Sequence, residues 1–330
     1  MHVTKVLPAA CAATAIAVLG LASASAGAET WDMPVAYADS NFHTQNAQAF
    51  ADAVGVATQG AIEIVVHPSG SLFNGADIKR AVQTGQAPIG ERLLSAHENE
   101  NALFGFDSVP FLATSFEDSQ RLWEAARPTI EEVLLEQNLV LLYAVPWPPQ
   151  GLYFDREINS VADMEGIRFR AYNAATARMA ELSGMTPVQI EAAELSQALA
   201  TGVAQAFISS GSTGYDRKVW EQLSHFYEVN AWLPRNYVFV NKDTWDALDP
   251  ALQATIRGVA MIAERAGTID SERLTNWYME QLAANGMTVQ PAGDQLRTDL
   301  EAIGATMADE WLAAAGEQGQ AIIDAYRAAE

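Results

Sequence analysis

Apolar and polar positions alternate along residues 61–67, Ala-Ile-Glu-Ile-Val-Val-His, and the run stops at Pro68-Ser69-Gly70, the pattern of a strand leaving through a turn. Ahead of it, Phe42, Phe50 and Val54 fall on one face of a helix over 41–57, in strand–helix–strand order. A helix with a glycine stop is predicted over 77–85 and a strand over 87–94. The run Leu-Val-Leu-Leu-Tyr-Ala-Val at 139–145 reads as a buried strand, and Pro146, Pro148 and Pro149 stiffen the crossover that follows it. Beyond lie predicted strands over 152–158, 167–172 and 187–190 and one starting at Phe207-Ile208, with helices over 174–183 and 193–201, the latter closed by Gly202. Residues 236–241 return the chain to the character of the first block. After Asp249 the pattern is helical, over 250–285 with an interruption at Gly267 and again over 305–329.

Alternation of this kind predicts an α/β fold with mainly parallel sheets. The order of the blocks divides it into a first domain of 29–148 and 238–280, a second of 149–237 inserted into it, and C-terminal helices at 281–330 packing on the two lobes. The chain crosses between lobes near 145–151 and 233–240.

Three further observations narrow the class. Residues 6–21 form an apolar, alanine-rich run after Lys5, followed by small residues to Ala28; this is the pattern of a secretory signal cleaved between Ala24 and Ala28, leaving an exported chain without a membrane span. Cys11, the only cysteine, lies inside that segment, so the mature chain has neither disulfide, thiolate metal site nor cysteine nucleophile. Acidic residues number 41 against 19 basic, a formal charge of −22, which argues against nucleic acid or an anionic membrane as partner.

Catalytic patterns are scarce. His43, His67, His97 and His225 show no metal-binding spacing, Gly211-Ser212-Thr213-Gly214 lacks the lysine of a phosphate loop, and Glu91, Glu98 and Glu100 have nothing to hold them at a working separation. No cofactor is expected. The informative stretch is Ile167-Arg168-Phe169-Arg170-Ala171-Tyr172, where Arg168 and Arg170 share one face of a strand and Phe169 the other. Such a pair either holds a carboxylate ligand through a guanidinium fork or makes structural ion pairs.

This segment resembles a family. Asp163, Gly166, Arg168 and Arg170, then Gly184, Pro187, Val188, Glu194, Gly202 and Val203, are spaced as in the extracytoplasmic solute receptors of tripartite ATP-independent periplasmic (TRAP) transporters. Ser108-Val109-Pro110-Phe111-Leu112 and Asn241-Lys242 with Trp245 and Leu248 extend the likeness over nearly the whole chain. The resemblance implies a two-domain periplasmic binding protein fold with a hinge and an interdomain cleft. It implies no enzyme activity, a small organic acid as ligand, a membrane permease as partner, and Arg170 as the carboxylate partner. Where the family usually carries Asp-Gly-Gln-Glu-Asn-Pro this chain has 205–211 Gln-Ala-Phe-Ile-Ser-Ser-Gly, which moves the polar contact of that segment to Ser209 or Ser210.

On this reading Trp147, Tyr153, Tyr172, Phe207 and Trp232 line the cleft, with Asn173 and Asn236 beside them and Glu91-Arg92 as a polar wall. Two charge-assisted hydrogen bonds at about 1.5–3 kcal/mol each and ring contacts at about 0.5–1.5 kcal/mol each reach the ~8 kcal/mol of micromolar binding. The expected ligand is therefore an aromatic acid such as a hydroxybenzoate, with a 2-oxo or 2-hydroxy acid or a small amine as alternatives. Outside the receptor class, a secreted hydrolase requires a nucleophile–base–acid trio, and an adhesion module requires no enclosed cavity.

Overall fold

The computed structural model describes residue 1 and residues 28–329. The proposed signal segment and Cys11 lie outside the described residues.

In the first sheet, β1 (Glu29–Pro34) pairs in parallel with β2 (Ile62–His67) across α1 (Phe42–Ala57), and a bridge from Val35 to Glu91 joins β1 to β3 (Ile89–Leu93), which follows α2 (Ile78–Gln83). Helix α3 (Phe116–Glu136) leads to β4 (Leu139–Pro146). The second sheet collects β5 (Gly151–Phe154), β6 (Arg168–Ala171), α4 (Ala174–Leu182), β7 (Thr186–Gln189), α5 (Leu195–Ala200), β8 (Ala206–Ser209), α6 (Gly211–Asp216) and β9 (His225–Glu228). The chain then returns as β10 (Arg235–Asn241), between β3 and β4, and passes through α7 (Lys242–Asp246) and α8 (Pro250–Ala284) to β11 (Thr288–Pro291), at the outer edge of the second sheet, and α9 (Asp294–Ala328). The result is a two-lobed α/β fold.

Mainly parallel sheets were expected; instead the β1–β2 pair is parallel, the β3–β10–β4 sheet beside it is antiparallel, and the six-stranded sheet is mixed. β10 runs antiparallel to β3 and β4, and β5 antiparallel to β8 and β9. These are the strands that carry the chain into and out of the crossings, and they enter their sheets against the direction of the strand–helix–strand units. The crossings are laced together, with Trp147 N–H on the Pro234 carbonyl at 2.7 Å, Gln150 N–H on that of Trp232 at 3.0 Å and Ala231 N–H on that of Gln150 at 3.0 Å. Gly267 does not interrupt α8. A β-carbon there would stand 2.7 Å from Val145 Cγ2, so the missing side chain lets the helix lie close on β4. Helix α9 begins eleven residues before the predicted 305 and bends at Gly316, whose φ of 60° and ψ of −145° only glycine adopts readily. Long helices tie the lobes together, α8 packing on α1 and β4 and then on α6 and β11, and α9 on α3 and α4.

Buried carboxyls lie near the lobe boundary. Asp107 accepts hydrogen bonds from Arg235 N–H (2.9 Å), Tyr237 Oη (3.2 Å) and Ser108 Oγ (3.3 Å). Burial nevertheless raises its pKa to about 7, and burial with the Asp107 charge raises that of Glu98 to about 7. A carboxyl raised in this way holds a proton in the folded chain that the unfolded chain releases near pH 4, so its stabilisation is complete below that pH and is lost as pH rises through about 7. The melting temperature is expected to fall from pH 5.5 to pH 8, and Asp107→Asn to reduce that fall by about 2–4 °C for each kcal/mol removed. Parallel melting curves against pH for native and variant protein contradict the assignment.

Candidate functional site

In open α/β sheets ligands bind beyond the carboxyl ends of the strands, and here several strand ends converge between the lobes. Tyr37 follows β1, Tyr172 follows β6, Glu191 follows β7, Ser209 ends β8, and Arg92 projects from β3. With Trp147 and Gln150 of the first crossing they line a cleft whose empty space, its open mouth included, is about 450 Å³.

Arg170 sits on β6, whose alternation puts Phe169 into the apolar core and Arg168 at the exposed end of the strand, bonded to the Gly202 carbonyl at 2.8 Å. Arg170 itself is 3% exposed. Its Nε donates to the Ile190 carbonyl at 2.9 Å and its guanidinium lies 5.1 Å from the centre of the Tyr172 ring. Among the described residues no carboxylate pairs with it and no acceptor takes its terminal amino groups. Burial lowers its pKa to about 10, so it remains a cation at neutral pH. A desolvated cation without an anionic partner is costly, and an incoming carboxylate removes that cost while filling the guanidinium fork.

The walls around it are held from behind. Tyr172 Oη accepts from Trp232 Nε1 (3.0 Å) and donates to Gln150 Oε1 (3.2 Å). Trp147 donates from Nε1 to Asn236 Oδ1 at 2.8 Å, and its ring packs against Tyr37, Phe42 and His43 at centroid distances of 4.8, 5.5 and 4.1 Å. Burial pushes the hydroxyls of Tyr37 and Tyr172 above the ordinary tyrosine range and His43 below the ordinary histidine range, so the two tyrosines are neutral walls and His43 is a neutral ring against Trp147. Across the cleft, Arg92 makes a two-pronged ion pair with Glu191, at 3.1 and 2.9 Å. Burial pushes the Glu191 carboxyl up, but the charge and hydrogen bonds of Arg92 outweigh it and hold the carboxyl below its ordinary range.

Residues 35–314 match the family described as bacterial extracellular solute-binding protein, family 7. The chain belongs to that family. Its members are TRAP transport receptors rather than enzymes; they are periplasmic and work with a membrane permease. The receptor is 57% identical to a marine metagenome TRAP solute-binding protein described as specific for pyroglutamate, over 92% of this chain and 99% of that one, with a TM-score of 0.91. It is 45% identical to a Bordetella pertussis extracytoplasmic solute receptor described as binding pyroglutamic acid, over 91% and 100% of the two chains, with a TM-score of 0.89. A Nostoc protein described as a monocarboxylate 2-oxoacid-binding periplasmic protein is 23% identical over 81% of this chain and 74% of its own. Among the described residues of the receptor no helix is long and apolar enough to cross a membrane.

Of the residues expected at the site, Arg92, Trp147, Arg170, Tyr172 and Ser209 line the cavity. Trp232 and Asn236 stand behind it, bonded to Tyr172 and Trp147. Glu91 is behind Asn236, accepting from its Nδ2 at 3.1 Å and lying 3.4 Å from His43 Nδ1. Asn173 caps α4 and reaches across to Ser95 and Ser108 at 3.0 and 3.3 Å. Tyr153 and Phe207 stack on each other at 4.3 Å, inside an apolar cluster with Leu195, Val219 and Phe226, and Ser210 caps α6 while its carbonyl accepts from Tyr153 Oη. The sequence reading missed Tyr37, Gln150, Glu191 and Thr213 as lining residues. The available signal for Tyr37 and Glu191 is position, a polar side chain just past the end of a strand.

The receptor is thus built to bind a small carboxylate. Of the two carboxyls beside His97, Glu100 is occupied by Lys79 Nζ at 2.5 Å and by His97 Nδ1 at 2.8 Å, and Glu98 is largely buried with its pKa raised to about 7.

Proposed function

We propose that this receptor captures a small cyclic monocarboxylate of the pyroglutamate class in the periplasm and delivers it to a TRAP permease. The observation that carries the proposal is the buried Arg170 cation, which faces the cavity without a carboxylate partner. The carboxylate of the ligand occupies that guanidinium. Its ring lies against Trp147, Tyr172 and Leu93, and its lactam N–H and carbonyl meet the polar groups Arg92, Gln150, Glu191, Ser209 and Thr213.

The hydroxybenzoate expected from the aromatic residues gives way to this reading for two reasons. Tyr153, Phe207 and Trp232 do not reach the cavity lining, and the polar groups that do would lose water without partners against a flat aromatic acid. Receptors at 57% and 45% identity are described as binding pyroglutamate. The proposal includes an export signal over residues 1–28. It also includes closure of the 149–237 lobe against 29–148 and 238–280 about the laced crossings, with ligand shifting the population toward the closed form.

Calorimetry with pyroglutamate, a 2-oxo acid, 4-hydroxybenzoate and a small amine tests it. Pyroglutamate is expected to bind at about micromolar Kd or tighter, and at least about a hundredfold tighter than 4-hydroxybenzoate, as unpaired polar groups dictate. Tighter binding of the aromatic acid, or of the amine, contradicts the proposal.

A further inference from the structure

We infer that Glu191 sets the charge of the ligand this receptor accepts, restricting it to monoanions. The inference rests on the proposed carboxylate site and concerns the Arg92–Glu191 pair that lines the same cavity.

Three charged side chains line the cavity: Arg92, Arg170 and Glu191. Both oxygens of Glu191 are taken by Arg92, so one guanidinium is neutralised by the protein and one is left for the ligand. The lining as a whole has room for one negative charge. Arg92 is 5% exposed at its side chain and Glu191 26%, and desolvation magnifies the cost of a mismatch in this count.

The charges beyond the lining do not reverse it. Asp216 and Arg217 are neighbours that offset each other, as do Glu100 and Lys79. Glu91, buried behind Asn236, adds a further negative charge on the Trp147 side, and the ring of His43 beside it is held neutral by burial. A dicarboxylate entering this cavity would set its second carboxylate against Glu191, with Arg92 already engaged. A lactam or amide at the same place faces no such repulsion, and its N–H finds an acceptor in Glu191.

The ion pair also separates two spaces. Arg92 and Glu191 line both the ligand cavity and an outer groove between the lobes that contains His97, Glu98 and Glu100.

The test compares glutarate with its monoamide, two probes of matched shape that differ by one charge, on native protein, Glu191→Gln and the double variant Arg92→Gln/Glu191→Gln. Native protein is expected to prefer the monoamide by at least about tenfold, in keeping with like-charge repulsion in a desolvated site. Glu191→Gln frees Arg92, and the ratio should move toward the dianion by about tenfold or more, the effect of one charge-assisted contact. The double variant removes both charges, restores a single uncompensated cation and should return the preference to the monoamide; a latch or packing role for Glu191 produces no such return. Glu191→Asp, which keeps the charge, should keep the native preference for the monoamide, so that even if thermal unfolding shows the double variant to be unfolded, a Glu191→Asp ratio that moves with that of Glu191→Gln overturns the inference. A ratio indifferent to Glu191→Gln, or a double variant that keeps the ratio of the single one, overturns the inference alone. If native protein binds neither probe nor pyroglutamate, the carboxylate site itself is overturned, and this inference with it.

Discussion

Arg170→Ala is expected to abolish measurable carboxylate binding while the protein still folds. Two charge-assisted hydrogen bonds from the fork contribute about 1.5–3 kcal/mol each, so their removal weakens binding by roughly a hundredfold to ten-thousandfold. The fold tolerates the change because the guanidinium makes one hydrogen bond to protein, to the Ile190 carbonyl, and no ion pair among the described residues. What the unliganded chain loses in packing of the arginine stem it regains by no longer burying an uncompensated charge. Arg170→Lys keeps a cation but loses the planar fork, and its affinity should fall between those of native and alanine proteins. Calorimetry paired with thermal unfolding checks both halves. Unchanged affinity in Arg170→Ala removes the residue from the site, and a collapsed melting curve makes it a structural residue instead.

Trp147→Ala should be the most destabilising of the site substitutions. The side chain is 4% exposed, and three rings and Asn236 Oδ1 rest on it. Truncating a buried tryptophan costs about 3–5 kcal/mol, which lowers the melting temperature by roughly 10 °C. Affinity should fall as well, because the indole is itself a wall of the cavity. Trp147→Phe retains most of the apolar contact but leaves Asn236 Oδ1 with only the 3.4 Å bond from Tyr37; a smaller loss of about 1–2 kcal/mol is expected. Thermal unfolding of the two variants beside native protein checks the order. A stable alanine variant would show that the cluster around His43 and Tyr37 packs without the indole.

These expectations draw on features of unequal visibility in the sequence. The placing of Arg168 and Arg170 on the face opposite Phe169 follows from strand alternation, a local rule, whereas the exposure of Arg168 and burial of Arg170 depend on where β6 ends; the family resemblance rests on short motifs spread over nearly the whole chain. The Arg92–Glu191 pair joins residues 99 apart in sequence, and no local pattern announces it. Gln150 was visible only as part of a stiff crossover; its role depends on Tyr172, which β6 places opposite it. Tyr153 and Phe207 show the reverse problem. Their types suggest ring contacts with ligand, but they are partners in adjacent strands whose shared face is covered by apolar side chains such as Leu195 and Val219. Composition cannot distinguish an aromatic that lines a cavity from one that fills a core. Short edge elements escaped for a similar reason: β11 is four residues long and takes its place through pairing with β9, a contact its own sequence does not specify. Gly267 was visible as a helix breaker, yet its use is to admit Val145.

A crystal structure of the receptor soaked or co-crystallised with pyroglutamate decides whether Arg170 holds the carboxylate of the ligand. The carboxylate of the ligand is expected on the two terminal nitrogens of Arg170 at about 2.7–2.9 Å, the range of charge-assisted pairs, with Arg92 still bound to Glu191. A carboxylate seated on Arg92 instead, with Arg170 facing water or an amide, contradicts it.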